Sequence, residues 1–191
     1  MSDVPFLSLS IWIPIVGGLA ILVGGSARRP ELARWMSLLV AIAGLAVSVP
    51  LYTGFDAATS QMQFVENLAW IDSFRIRYAL GVDGISMPFI ILNSFISVVV
   101  VVAGWGTIKE KVSQYMAAFL IMSGFINGIF ASLDGVLFYV FFEASLIPLY
   151  FIIGIWGGAN RVYAAFKFFL YTLLGSLLML VAFIYLFQGT G

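Results

Sequence analysis

Cysteine and histidine are both absent from this chain. Without them the usual side-chain ligands of haem, iron–sulfur clusters and zinc are missing, so no metal or redox centre is expected within it. Charge is scarce as well: 9% of the residues are charged, against about 25% in an ordinary soluble domain. Acidic and basic residues balance, and no basic cluster points to nucleic acid or to an anionic lipid patch as a partner. No glycine-rich fingerprint follows a strand-like run, so a dinucleotide site has no support. If the chain serves a redox machine, the electrons run elsewhere. What is present is apolar: hydrophobic residues make up 62% of the sequence, which is incompatible with a water-soluble globule and indicates an integral membrane protein whose partner is the lipid bilayer.

A bilayer crossing needs about 20 mostly apolar residues, and six windows qualify, near residues 7–26, 35–54, 85–106, 114–133, 135–156 and 165–187. Backbone amides in lipid must be paired within their own segment or in a closed barrel, and runs this continuous lack the alternation of barrel strands. The expected fold is therefore all-α and polytopic. Two helices occupy 1–54, an extramembrane loop or hairpin 55–84, and four helices 85–191. The first span does not read as a cleaved signal, because Met1 to Ser10 carries Asp3 and no basic residue, and the apolar stretch is too long.

Basic residues beside the spans fall on one side: Arg28, Arg29 and Arg34 after the first, Lys109 and Lys111 after the third, Arg161 and Lys167 after the fifth. The positive-inside rule then puts both chain ends outside. Trp35, Trp105 and Trp156 sit near span ends, as interfacial tryptophans do. Within the loop, Leu68 to Ile71 and the alternating run Phe74 to Leu80 flank Asp72-Ser73 and read as a small hairpin docked on a neighbour, with an irregular loop as the alternative.

Glu143 is a lone carboxylate in the long apolar run from Leu137 to Ile153. A charge at such depth costs at least about 2.5 kcal/mol, so the expected role is a proton or ion site, against the plainer one of a neutral acid bonded to a neighbouring helix. Tyr139 and Tyr150 share its helical stripe and could hold water beside it, although ordinary aromatic packing accounts for either alone. Pro148 cannot donate to the Ala144 carbonyl, which is left free beside the acid. Lys167 is the obvious counter-charge, yet by helical rise Glu143 lies about 20 Å from the cytoplasmic end and Lys167 about 3 Å. Lys167 then snorkels to the surface or marks a proton entry there. Asp83 sits where an N-cap of the third span belongs, with Pro88 in the first turn. Asn93, Ser94, Ser97, Ser123 and Asn127 place polar groups in the third and fourth spans, for interhelical hydrogen bonds or a water path. Gly124-x-x-x-Gly128 and Gly154-x-x-x-Gly158 permit close helix contact.

The segment FYVFFEASLIPLY (138–150), then IWGG (155–158) and RVYAAFKFFLYTLLGS (161–176), resembles the proton-translocating membrane subunits of respiratory complex I, and most of all the subunit M family of NADH-quinone oxidoreductase, equivalent to the fourth mitochondrially encoded subunit. LGVDGIS (80–86) carries the same resemblance. It implies an antiporter-like subunit, working beside other membrane subunits of the complex in a bacterial cytoplasmic or equivalent energy-transducing membrane. NADH, FMN, iron–sulfur clusters and quinone belong to the parent complex, with no cofactor in this chain. It also implies that Glu143, the glutamate of the fifth helix, pairs with a lysine of a seventh helix, while Lys167 aligns with a basic position at the start of the sixth. The six windows match only an N-terminal portion of such a subunit, so a fragment inactive alone is expected. Two other classes stay open: a subunit of a multi-subunit cation/proton antiporter, and a membrane scaffold without transport.

Overall fold

A computed structural model describes residues 4–24 and 29–190. Asp3 and Arg28, used above for the signal and orientation arguments, lie outside the described residues. The chain forms α1 (Phe6–Val23), α2 (Pro30–Thr53), β1 (Gln63–Ile71), β2 (Ile76–Val82), α3 (Ser86–Thr107), α4 (Val112–Ala131), α5 (Gly135–Trp156) and α6 (Arg161–Thr190). All six helices are long and apolar enough to cross a membrane. The boundaries depart from the hydropathy windows where punctuation residues decide them. Pro30 starts α2 at a position that needs no amide donor, and this brings Arg34 into the helix rather than the loop. α6 begins at Arg161, four residues before the apolar window does.

α4 is the hub, packed against α1, α2, α3 and α5, while α6 lies along α5. Missing side chains make the hub possible. A Cβ on Gly124 would stand 2.5 Å from the Ile11 carbonyl oxygen of α1, and one on Gly18 would stand 2.9 Å from the Ala117 oxygen of α4. Backbone therefore meets backbone between these two helices. A Cβ on Gly128 would instead strike the Phe141 ring of α5 at 2.7 Å. The glycines of the Gly124-x-x-x-Gly128 pair thus serve two different neighbours. The pair at 154 and 158 makes no comparable contact: Gly154 meets Ala165 at an ordinary 3.5 Å and Gly158 faces open space.

Two apolar clusters fill the interior. One, beside the hairpin, contains Leu7, Ile11, Leu80, Ile90, Leu137 and Phe141. The other, toward the opposite end, contains Ile21, Ala33, Val101, Met116 and Leu120.

The two strands form an antiparallel hairpin with Leu68 opposite Tyr78 and Ile71 opposite Ile76. It begins earlier than the alternation suggested, at Gln63, and its second strand starts later, at Ile76. The reason is the turn: Asp72–Phe74 closes a 3₁₀ turn and Arg75 takes a left-handed φ of 57°, which breaks the strand period at Phe74. The hairpin docks on the helices through polar contacts. Glu66 accepts the free amides of Leu7 (2.8 Å) and Ser8 (3.1 Å) and the Ser8 hydroxyl. This supplies the first turn of α1 with the acceptor that Pro5 lacks. Tyr78 Oη lies 3.0 Å from Ser8 Oγ and accepts from Trp12 Nε1 at 3.1 Å. On its other side the Leu133 amide donates to the Ala79 carbonyl at 2.9 Å. At the far end of the bundle, Arg34 donates to the Ile108 carbonyl and Trp156 Nε1 to the Glu110 carbonyl, while Trp35 and Trp105 meet edge to face. The basic side and its tryptophans form one layer opposite the hairpin.

Asp83 caps α3 as expected: its carboxylate accepts from Ser86 N (2.7 Å) and Ile85 N (3.0 Å). Hydrogen bonds from the Ser86 backbone first, then from Ile85, hold its carboxyl below the ordinary aspartate value of 3.8. A depressed carboxyl contributes stability that is present above the unfolded-state value and is lost as pH falls through the folded one. Stability of the wild type should therefore drop as pH is lowered below 3.8 more than that of Asp83→Asn, in thermal unfolding of the detergent-solubilised protein. A second expectation concerns the hub. Gly124→Ala should cost about 1–3 kcal/mol by overpacking, whereas Gly175→Ala, with nothing within 4 Å of the added methyl, should leave unfolding unchanged or slightly delayed.

Candidate functional site

The site is built on α5. Asp134 caps this helix: Oδ1 accepts from Val136 N at 2.8 Å and Leu137 N at 3.1 Å, and Oδ2 accepts from the Arg77 amide of the hairpin at 3.1 Å. Phe141 fixes the rotation of α5 by seating its ring on Gly128. With that face turned to α4, Glu143 falls beside α6, nine residues into a helix of 22 and, at 1.5 Å per residue, about 4 Å from its midpoint.

Glu143 is half-buried, and its Oε1 is fully enclosed without a hydrogen-bond partner. Among the described residues no lysine or arginine pairs with it. Two hydroxyls share its surroundings. The Tyr139 phenol adjoins both the Glu143 carboxylate and Ser176 of α6. Ser176 is 3% exposed and donates to the Leu173 carbonyl at 2.9 Å.

The other residues singled out from the sequence are placed differently. Tyr150 shares the stripe but its ring meets Phe166 at 5.6 Å, Phe169 at 5.5 Å and Phe151 at 5.7 Å, so it packs α5 against α6. Lys167 is exposed, with Nζ 5.9 Å from the centre of the Tyr163 ring. Because α6 starts at Arg161, Lys167 is about 9 Å along the helix rather than 3 Å, still about 10 Å short of the depth of Glu143. Pro148 and Ala144 line a groove of about 470 Å³ with Ile121, Phe125, Phe151 and Trp156. It is apolar.

Sequence reasoning missed Ser176 as a neighbour of Tyr139. The available signal was a small hydroxyl four residues after Thr172 in an otherwise apolar helix, which fixes a face but not the helix it meets.

Comparison with known proteins extends the likeness beyond these motifs. Residues 132–191 match the family described as "NADH:quinone oxidoreductase/Mrp antiporter, TM". The chain is 45% identical to NADH-quinone oxidoreductase subunit M of Rhodobacter capsulatus over 188 residues, 97% of this chain and 36% of that protein. It is 37% identical to F(420)H(2) dehydrogenase subunit M of Methanosarcina mazei, over 96% of this chain and 36% of that protein. The fold is similar to a chain of respiratory complex I from Thermus thermophilus, with a TM-score of 0.76 and 27% identity, over 92% of this chain and 34% of that one. The chain thus resembles subunit M along almost its whole extent, its first two helices and hairpin included, while it spans a little over a third of the length of these relatives.

Proposed function

We propose that Glu143 is the proton-carrying carboxyl of a membrane subunit of NADH-quinone oxidoreductase, in which redox chemistry on other subunits drives proton translocation. The observation that supports this is the enclosed Oε1 of Glu143, held at mid-helix with neither a hydrogen bond nor a cation among the described residues. Desolvation favours the neutral form of a carboxyl and a nearby cation favours the ionised form, so a counter-charge that approaches and retreats loads and unloads the acid. In this reading that cation lies outside the described residues. Tyr139, touching both Glu143 and Ser176, orients the carboxyl and passes its proton to water. Tyr150 acts through packing, and Lys167 gathers protons at the basic face.

The subunit itself is non-redox. Support comes from two relatives whose names carry different electron donors, NADH and F420H2, although their likeness to this chain is nearly equal in extent. Its partners are the neighbouring membrane subunits of the complex, in a bacterial cytoplasmic or equivalent energy-transducing membrane. The basic layer of Arg29, Arg34, Lys109, Lys111 and Arg161 lies inside, and the hairpin and N-terminus lie outside. A second reading, a subunit of a cation/proton antiporter, is favoured by the family description, which names both classes.

Glu143→Gln in the full-length subunit should lower NADH-driven proton pumping of membrane vesicles at least several-fold while the complex still assembles, with Tyr139→Phe giving a smaller loss. Unaltered pumping in an assembled Glu143→Gln complex would refute the role. Sodium-dependent quenching of a pH dye without NADH or quinone would establish the antiporter instead.

A further inference from the structure

The polar residues of α3 and α4 form a layer of their own, and proton counting shows it to be incomplete. Asn127 Nδ2 donates to the Ser10 carbonyl at 3.0 Å and to Ser94 Oγ at 3.4 Å. Asn93 Nδ2 donates to Asn127 Oδ1 at 2.7 Å and to Ser123. Ser97 Oγ reaches both the Asn93 carbonyl and Ser123 Oγ. Every amide proton of the two asparagines is thus committed. Two serines are different: Ser94 and Ser123 are 3% and 4% exposed, Ser94 accepts from Asn127 and Ser123 from Asn93 and Ser97, and none of the described hydrogen bonds uses the proton of either.

Space adjoins both protons. Ser94, Ser97, Ser123, Asn127 and Ser10 border a cavity that leaves about 10 Å³ for the centre of a water molecule, with Ala41 and Gly44 of α2 on the opposite wall. The glycine gives independent evidence of the void. Gly44 is buried, yet a Cβ built on it would meet nothing within 4 Å. One water molecule needs about 10–15 Å³ of such space and two to four polar partners. An apolar void of this size would stay dry, but this one is lined by hydroxyls.

We infer that the junction of α1, α2, α3 and α4 is a binding site for a single water molecule, which accepts the protons of Ser94 and Ser123 and donates to the Ser97 hydroxyl. The water adds a further bridge between α3 and α4, which Asn93–Asn127 and Ser97–Ser123 already join, and completes the layer between the two apolar clusters. The inference is independent of the role of Glu143.

The test has two arms, both on the full-length subunit in its assembled complex. A cryo-EM map that resolves ordered waters elsewhere in the membrane arm should show a peak within hydrogen-bond distance of Ser94 Oγ. A map of that quality without one overturns the site. The second arm is a thermal double-mutant cycle. With water present, Ser94→Ala lowers Tm by about 2–4 °C in the wild type and by clearly less once Gly44→Ala has filled the space and displaced the water, the remainder being the acceptor that Asn127 loses in both backgrounds. If the cavity is dry, Gly44→Ala raises Tm by filling a void and the two substitutions add, which rejects the proposal. Should a variant fail to assemble, the wild-type map decides alone.

Discussion

Pro14 has no amide proton, so the Ser10 carbonyl inside α1 cannot join the helical ladder, and within a membrane it must find a donor from another helix. It finds Asn127 of α4 at 3.0 Å. That bond is short only because Gly18 and Gly124 let the two backbones approach closely enough for any added Cβ to collide with a carbonyl oxygen. A proline, an asparagine and two glycines therefore act as one unit. In lipid, where apolar side chains gain little by leaving their surroundings, close packing and a buried hydrogen bond are what hold such helices together.

The placement of Glu143 follows from that contact at one remove. α4 turns one glycine toward α1 and the next, Gly128, toward the Phe141 ring of α5. Phe141 sets which side of α5 is buried in the hub, and two residues later Glu143 is carried round toward α6, Tyr139 and Ser176. The end of α5 is tied independently: Asp134 caps it and also takes the Arg77 amide of the hairpin, which in turn caps α1 through Glu66. Acidic side chains at the hairpin face are thus spent on helix N-termini, where the helix dipole favours negative charge. Glu143 is remote from any such terminus.

The spans, the helical class and the mid-helix position of Glu143 were legible because hydropathy and helical rise depend on local sequence alone. So was the Asp83 cap, which needs only residues three apart. Boundaries were less so, since Pro30 and the left-handed Arg75 act through backbone geometry that an apolar window does not register. The partners of polar groups were not legible at all. The free carbonyl expected from Pro148 applies equally to Pro14, yet nothing in the sequence says that Asn127, more than a hundred residues away, takes it. Ser176 and Tyr150 show the same limit from both sides. Both occupy plausible stripes, and only the pairing of α5 with α6 decides that the serine adjoins the acid by way of Tyr139 while the tyrosine packs on phenylalanines.

What separates Glu143 from the other intramembrane polar residues is therefore the state of its bonds rather than its polarity. Asn93, Asn127, Ser97 and Ser123 exchange hydrogen bonds across helices and serve the packing. Two buried side-chain atoms among the described residues have no partner, Arg34 Nε and Glu143 Oε1. Arg34 stands near the start of α2, with its other nitrogens on Glu31 and the Ile108 carbonyl, so its unpaired nitrogen belongs to a side chain already anchored at the basic face. Glu143 has only the Tyr139 phenol beside its carboxylate, and its Oε1 stays enclosed and unpaired. A structural acid at that depth would be expected to spend both oxygens on a neighbouring helix, because an unmet acceptor in a low-dielectric interior is costly. An oxygen kept enclosed and unmet, beside a phenol able to donate or accept, is the arrangement of a group whose partner comes and goes.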